Sequence, residues 1–373
     1  MKKILLGTTA VIALGTLSTE AFAADKIKLE LGGFMRQYVG FSNSDEVATV
    51  STNDVVNRDT GLGQQGNSEV YFTGSTTLDN GLKVAATMQL EANAVGTRNM
   101  DESYVTVSSD AMGAVSLGAR PHAAAALDVR APNAGNHDWN DVNDWIAGSR
   151  AATASATAAT IGLQANDMDG NWTDDTIKAV YISPSFAGVT VGASWSAAEG
   201  SGAGESGQLI TSNLRDGYSF GVAYAGDFDG VTVDASIVHG RTSALYDQTG
   251  LGLSVGVAGF TVGGAYYDFD GKPTSGVNTD SADGKGYEIG VAYATGPYSL
   301  SATYMNSEDK GTTATAGDDE DTMWQLSATY DLGAGVALTA TYFDVESDPE
   351  GDVAGTSNGL DGNGLITGIE VGF

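Results

Sequence analysis

Along this 373-residue chain, short turns and long polar stretches alternate without a break, and the segments between them repeat every second residue. The short connections are Asp79-Asn80-Gly81, Asp110-Ala111-Met112, Pro184 to Gly188, Gly226 to Gly230, Val257-Ala258-Gly259, Thr295-Gly296-Pro297 and Leu332 to Gly335. They are rich in the Asn, Asp, Gly and Pro that tight turns demand. The long connections cover 42–67, 94–100, 121–174, 198–215, 241–248, 270–284, 308–320 and 347–362. Seven of one kind and eight of the other require sixteen strands. Between them, Leu82, Val84, Ala86, Met88 and Leu90 share one face, and Lys83, Thr87, Gln89 and Glu91 share the other. Val336, Leu338, Ala340 and Tyr342 likewise oppose Ala337, Thr339, Thr341 and Phe343. A period of two belongs to strands, with one face in oil and the other beside small or polar groups.

An even number of antiparallel strands, with short turns at one end and long loops at the other, predicts an all-β, 16-stranded transmembrane barrel. Strands of about ten residues, rising about 3.3 Å each at ~45° tilt, span roughly 23 Å and match an apolar band of ~25 Å. Trp195, Tyr224, Tyr266, Tyr304 and Tyr342 are expected toward the long loops, with Phe260 and Tyr298 just after turns. Together they read as two interfacial girdles. The alternative, aromatics capping a sandwich core, needs an unusual number of strands in one soluble domain. Glycine is abundant, 51 residues against 6 prolines, but has no three-residue period and so no collagen character. Gly221, Gly256, Gly263, Gly290 and Gly368 fall inside strands, where a barrel wall between lipid and water tolerates small residues.

Met1-Lys2-Lys3, the apolar run Ile4 to Leu17 and Ala21-Phe22-Ala23 have the layout of a cleaved export signal, 1–23, leaving a barrel domain over 24–373. No later run is long and apolar enough for a helical span. Seventeen basic against 47 acidic residues give a net charge of −30, which argues against nucleic-acid binding. Cysteine is absent, so disulfides and thiolate chemistry are excluded. The three histidines, His122, His137 and His239, are far apart in sequence and make a histidine zinc site a poor expectation.

The chain ends on an alternating strand, Leu365, Thr367, Ile369, Val371 and Phe373. With it go Ile27 to Gly33, Leu78-Asp79-Asn80-Gly81-Leu82-Lys83, Met112 to Arg120 and the turn from Tyr181 to Gly188. In order and character these resemble the first strand, first hairpin, fifth strand and later turn of trimeric general-diffusion porins of the kind common in alphaproteobacteria, across 24–373. The resemblance implies a water-filled outer-membrane channel that passes ions and small hydrophilic solutes passively, with no catalysis and no cofactor. It also implies a homotrimer, contact with lipopolysaccharide, and a terminal Phe373 that signals to the barrel insertion machinery. By the same resemblance, the long loop 121–174 folds inward as a constriction. The loop lacks the Pro-Glu-Phe-Gly-Gly tip of enteric porins.

Within that loop Asp138, Asp141 and Asp144 are spaced so that one helical turn would bring them together. Facing them, strand parity turns Arg36, Arg120, Lys178 and Arg215 inward, giving a transverse field that sorts permeants by charge. An acidic, solvated surface loop and arginines in rim salt bridges are the alternatives. The acid excess predicts mild cation selectivity.

Other motifs carry less. Gly217 to Gly221 and Gly252 to Gly256 match G-x-S-x-G but lie within alternating strands, where no nucleophile elbow forms. Gly202 to Gly207 matches G-x-G-x-x-G in an acidic loop with no following helix. Asp167-Met168-Asp169-Gly170-Asn171 and Asp318-Asp319-Glu320-Asp321 lack an EF-hand register, so the expectation is loose calcium binding or divalent bridging to lipopolysaccharide, with no specific metal site. A substrate-specific channel with a solute-binding lumen is the nearest rival function. A barrel-borne hydrolase or an adhesin stands further off.

Overall fold

The structure is a computed structural model and describes residues 26–44, 60–92, 100–135, 137, 142, 145, 168, 176–197, 216–242, 246–271, 283–309, 318–348 and 361–373. The strands are β1 Lys28–Ser44, β2 Thr60–Thr77, β3 Lys83–Glu91, β4 Met100–Ser109, β5 Gly113–Ala119, β6 Ile177–Ile182, β7 Val189–Ser196 and β8 Gly217–Phe228. They continue as β9 Val231–Thr242, β10 Tyr246–Val257, β11 Phe260–Gly271, β12 Gly284–Thr295, β13 Tyr298–Asp309, β14 Asp319–Gly333, β15 Val336–Asp348 and β16 Gly362–Gly372. One short helix, α1 Ala123–Leu127, follows β5. The strands pair antiparallel in chain order, and β1 closes the barrel on β16 from Phe34↔Gly372 to Ser44↔Gly362. Closure leaves no strand edge, so the sheet satisfies its own backbone, which is the condition for crossing hydrocarbon. Among the described residues no helix is long and apolar enough to cross a membrane.

Four of the tight turns share one chemistry. Ala187-Gly188, Asp229-Gly230, Ala258-Gly259 and Ala334-Gly335 each place both residues at positive φ. Paired positive φ angles give the hairpin turn whose twist matches the flanking strands, and glycine in the second place removes half the strain.

The alternation sorts the two faces. Leu253, Val255, Ile289, Val291, Leu300 and Leu326 are exposed on the outside, while their neighbours in sequence point into the barrel. Aromatics ring both ends of this apolar band. Toward the long loops, Tyr304 lies 4.6 Å from Trp324 and 6.0 Å from Tyr287, measured between ring centres. Toward the turns, Phe260 meets Tyr293 at 4.4 Å and Tyr298 stacks on Tyr330 at 4.8 Å. Tyr224 belongs to the second group, not to the long-loop end as its spacing suggested. It sits four residues before the end of β8, stacked on Phe228 beside the turns.

The strands also run longer than expected. β1 and β2 reach 17 and 18 residues, so both ends of the 42–67 stretch, 42–44 and 60–67, are strand. The 241–248 connection shrinks to residues 243–245, because β9 and β10 stay paired up to Thr242↔Tyr246. The export signal, 1–23, lies outside the described residues.

Candidate functional site

What fills the barrel is the connection after β5. Irregular chain inside a barrel must find partners for its own N–H and C=O groups, and here the wall supplies them strand by strand. Ala123 and Ala124 donate their N–H groups to Ser194 on β7 and Ser219 on β8, at 3.3 and 3.1 Å. Val129 N–H donates to Ser236 on β9 at 3.0 Å, and Ala131 N–H to Glu288 on β12 at 2.5 Å. Ala134 N–H donates to Ser301 on β13 at 2.8 Å, while its carbonyl accepts from Thr329 on β14 at 2.5 Å. Farther on, Gln325 on β14 donates to the His137 carbonyl, and Ser42 on β1 to that of Trp145. The loop therefore lines the interior from β7 round to β1.

Glycines make room for it. A Cβ on Gly192 or Gly221 would press on Leu127, and one on Gly290 on the Pro132 carbonyl. A Cβ on Gly252 would overlap the Val129 carbonyl oxygen, and one on Gly40 would strike the Trp145 ring. The strand glycines read from sequence as a tolerant wall thus divide. Gly221 and Gly290 seat the loop, whereas Gly256 and Gly263 meet only wall side chains and backbone, and Gly368 meets Tyr38 and backbone.

The inward face is also less polar than a wet lumen requires. Met305, Met323, Phe343, Val345 and Ile366 join Tyr38 and the loop's Val142 in a buried cluster, with Trp145 packed against it. A second cluster joins Ala124, Leu127 and Met168 of the loop to Val238, Ala265 and Tyr267 of the wall. Burying side chains such as Val142 and Leu127 contributes roughly 1.5–3 kcal/mol each, so packing as well as hydrogen bonding holds the loop down.

Two histidines of the loop itself are buried. His122 is fully buried, bonded to Ser219 Oγ and the Met168 carbonyl at 3.0 and 2.9 Å. Burial, reinforced by the Lys178 charge, takes its pKa down to about 3 although the Met168 carbonyl favours the protonated ring. His137 packs edge-on to Tyr38 at 4.2 Å, and burial together with Arg36 lowers it to about 4. Both rings are neutral at pH 7, and they are separate from each other in their partners.

The wall of β1 to β5 carries the charged groups that the described part of the loop does not cover. Arg36 lies 4.0 Å from Glu370 and stacks on Phe34, with its guanidinium carbon 4.1 Å from the ring centre. Arg120 donates to Ser116 Oγ at 2.7 Å and lies 4.8 Å above the Tyr104 ring. Glu69, Glu91 and Asp101 converge, each with an oxygen within 4.8 Å of the others, and Tyr71 donates to Glu69 at 2.8 Å. Glu102 accepts from Gln89 beside them at 2.8 Å. Lys178 also faces inward, but it is 2% exposed and donates to the Thr176 carbonyl at 3.0 Å, so it lies behind the loop near His122 and not on open water. Asp138, Asp141, Asp144 and Arg215 lie outside the described residues.

The sequence reading put Glu91 on the polar face of its strand but named none of the carboxylates of this sector as site residues. Parity alone points Glu69 and Glu91 inward, since they share faces with Tyr71 and Gln89. Asp101 and Glu102 needed the structure, because a bulge between Met88 and Leu90 places both opposite one residue of β3.

A sixteen-stranded closed barrel with its longest described connection folded into the lumen is the geometry of a channel narrowed from within. A family model described as Gram-negative porin matches residues 8–349. The chain belongs to that family. Among solved structures, a porin refined at 1.8 Å is 20% identical, with a TM-score of 0.57 over 93% of this chain and 100% of its own. OmpT of Vibrio cholerae, described as a trimer form, is 13% identical with a TM-score of 0.59, covering 94% of this chain and 100% of its own. A mutant of Rh. blastica porin is 15% identical with a TM-score of 0.54, covering 93% and 100%. No curated protein sequence matches the chain. This porin is an outer-membrane β-barrel whose water-filled channel passes ions and small hydrophilic solutes by diffusion, a channel rather than an enzyme.

Proposed function

We propose that the aperture of this porin is a crescent between the loop-lined half of the barrel and the β1 to β5 sector, and that it prefers cations. The observation that carries this reading is the loop's strand-by-strand attachment from β7 to β1, which leaves the charged sector to face the water. There Arg36 and Arg120 stand among Glu69, Glu91, Asp101 and Glu102, with Glu370 of β16 beside Arg36, so acids outnumber bases along that stretch of wall. To the same constriction we assign the acids Asp138, Asp141 and Asp144 of the loop and the base Arg215, and the buried Lys178 contributes at longer range. Fixed charges at this separation bias ion entry through the local field. Planar-bilayer recording of the purified protein in a salt gradient tests it: a reversal potential of anion-selective sign would defeat the cation preference, and absence of step-like openings would defeat the channel reading altogether.

The same reading takes the protein as a homotrimer. Gln37 and Gln64 are exposed on the outer face of β1 and β2, flanked by the lipid-type residues Met35, Val39 and Leu62. Amides facing hydrocarbon without partners are costly, and a second copy packed on this sector would cover them. Phe373, exposed on the outside and bonded through its backbone to Gly33, serves as the signal to the insertion machinery. The acidic long loops meet lipopolysaccharide through loosely held divalent cations such as calcium. Cross-linking followed by mass analysis in native lipid checks the assembly; a monomer at all concentrations would overturn it.

A further inference from the structure

Most of the loop's polar contacts with the wall are neutral, but at one turn they are charged. Tyr267 on β11, wholly buried, donates its hydroxyl to Asp128 Oδ2 at 2.6 Å. On the adjacent strand Glu288 pairs in register with Ala265 and with Met305. Its side chain is 1% exposed, with Oε1 accepting the Ala131 N–H and Oε2 3.4 Å from Arg130 Nη2. A carboxylate at this position is withheld from the permeating solution, because the loop covers it. Burying an ion in this way is costly unless it is paired and hydrogen-bonded, so an acid placed between alanine and methionine on a lumen wall is there for the loop.

We propose that Glu288 is a positioning residue that sets the distance of the inward-folded loop 121–174, the third of the long loops, from the wall, and with it the aperture. Arg130 is its counter-ion, and the Tyr267 to Asp128 bond is a second tie one strand away. The inference rests on the reading that this loop bounds the aperture. Its physical content is an asymmetry between variants. Glu288→Gln keeps an oxygen for the Ala131 N–H but loses the charge and puts an amide NH2 where Oε2 faces Arg130, whereas Glu288→Ala removes the side-chain group that the Ala131 N–H and Arg130 both engage. Charge-assisted bonds of this kind shift an equilibrium by roughly tenfold to a hundredfold, so the ratio of docked to released loop falls by that factor in the alanine variant and by less in the glutamine variant.

Because the chain has no cysteine, a lock can be built without interference. Ala134 N–H lies 2.8 Å from Ser301 Oγ, so Ala134→Cys with Ser301→Cys joins loop to wall on β13, the strand next to the one that carries Glu288. Single-channel recordings of the full-length protein, with the pair reduced and oxidised, are compared with and without Glu288→Ala. The expected result is one conductance level in the parent, flicker and a second level in Glu288→Ala, a smaller change in Glu288→Gln, and return to one level on oxidation of the pair. A single unchanged level in Glu288→Ala overturns the proposal, as does flicker that oxidation leaves intact. If Glu288→Ala fails to form a barrel, Tyr267→Phe, which removes only a hydroxyl, carries the same comparison. Arg120→Gln separates the two readings: unchanged selectivity there with a working latch defeats the charge assignment of the aperture alone, and altered selectivity with no latch effect defeats the latch alone.

Discussion

Gly252→Ala should release the third loop while leaving the barrel intact. Gly252 and Gly256 lie on the same inward face of β10, four residues apart. A methyl at Gly252 would overlap the Val129 carbonyl oxygen, a backbone atom that cannot rotate away, and its retreat pulls Val129 N–H from Ser236 Oγ, now at 3.0 Å. Overpacking of this kind costs about 1–3 kcal/mol, and losing the hydrogen bond about 1 more. The sum, roughly 2–4 kcal/mol, lowers the docked fraction by a factor of about 30 to 1,000. At Gly256 the same methyl meets Thr232 Oγ1, which a side-chain rotation relieves, and no part of the described loop. Single-channel conductance and open-channel noise should therefore change in Gly252→Ala and stay at parent values in Gly256→Ala, with both proteins giving the same heat-modifiable barrel on gels. Equal behaviour of the two variants would refute the claim that the inward glycine at 252 seats the loop.

Three further outcomes are expected. His137, held down to about 4 by burial and Arg36, is neutral while the loop is docked, whereas a released ring titrates near 6.5. The released form then binds more protons between those values, so docking is strongest above about pH 6.5 and weakens as pH falls toward about 4. Channel noise should rise across that window and rise less in His137→Gln; identical profiles would rule the histidine out. Replacing Arg120 by Gln removes a cation from the lumen wall and should move the reversal potential further toward the cation side, read in the same salt gradient with conductance as the folding control. In the hairpin turn at Ala258, φ is 51°, a conformation alanine adopts poorly and asparagine tolerates. Ala258→Asn should stabilise the barrel by ~0.5–1 kcal/mol, seen as a higher urea midpoint for unfolding in lipid or detergent.

Residues such as Leu82, Val84 and Leu90 against Lys83, Gln89 and Glu91 made the barrel legible, because the period of a strand is local and lipid demands one apolar face without exception. The same parity turned Arg36 and Arg120 inward. It says nothing of height along a strand, and it failed where the chain departs from strict alternation. Tyr224 was assigned to the wrong rim because its distance to the following turn, not its aromaticity, decides its height. Asp101 and Glu102 were missed because a bulge has no signature in the pattern of two.

The sequence by itself determined the strand count, the closure and the membrane, since each follows from short-range periodicity and the length of turns. Only the tertiary structure decided what the inward face is for. Met305, Phe343 and Ile366 look like faults in a wet lumen, Gly192 and Gly252 like slack in the wall, and Ser194, Ser219 and Ser236 like ordinary polar filling. They become one seat when a loop more than seventy residues distant from some of them lies across all of them. The contacts that define the aperture join residues far apart in the chain, and no local pattern encodes which strands a loop will cross.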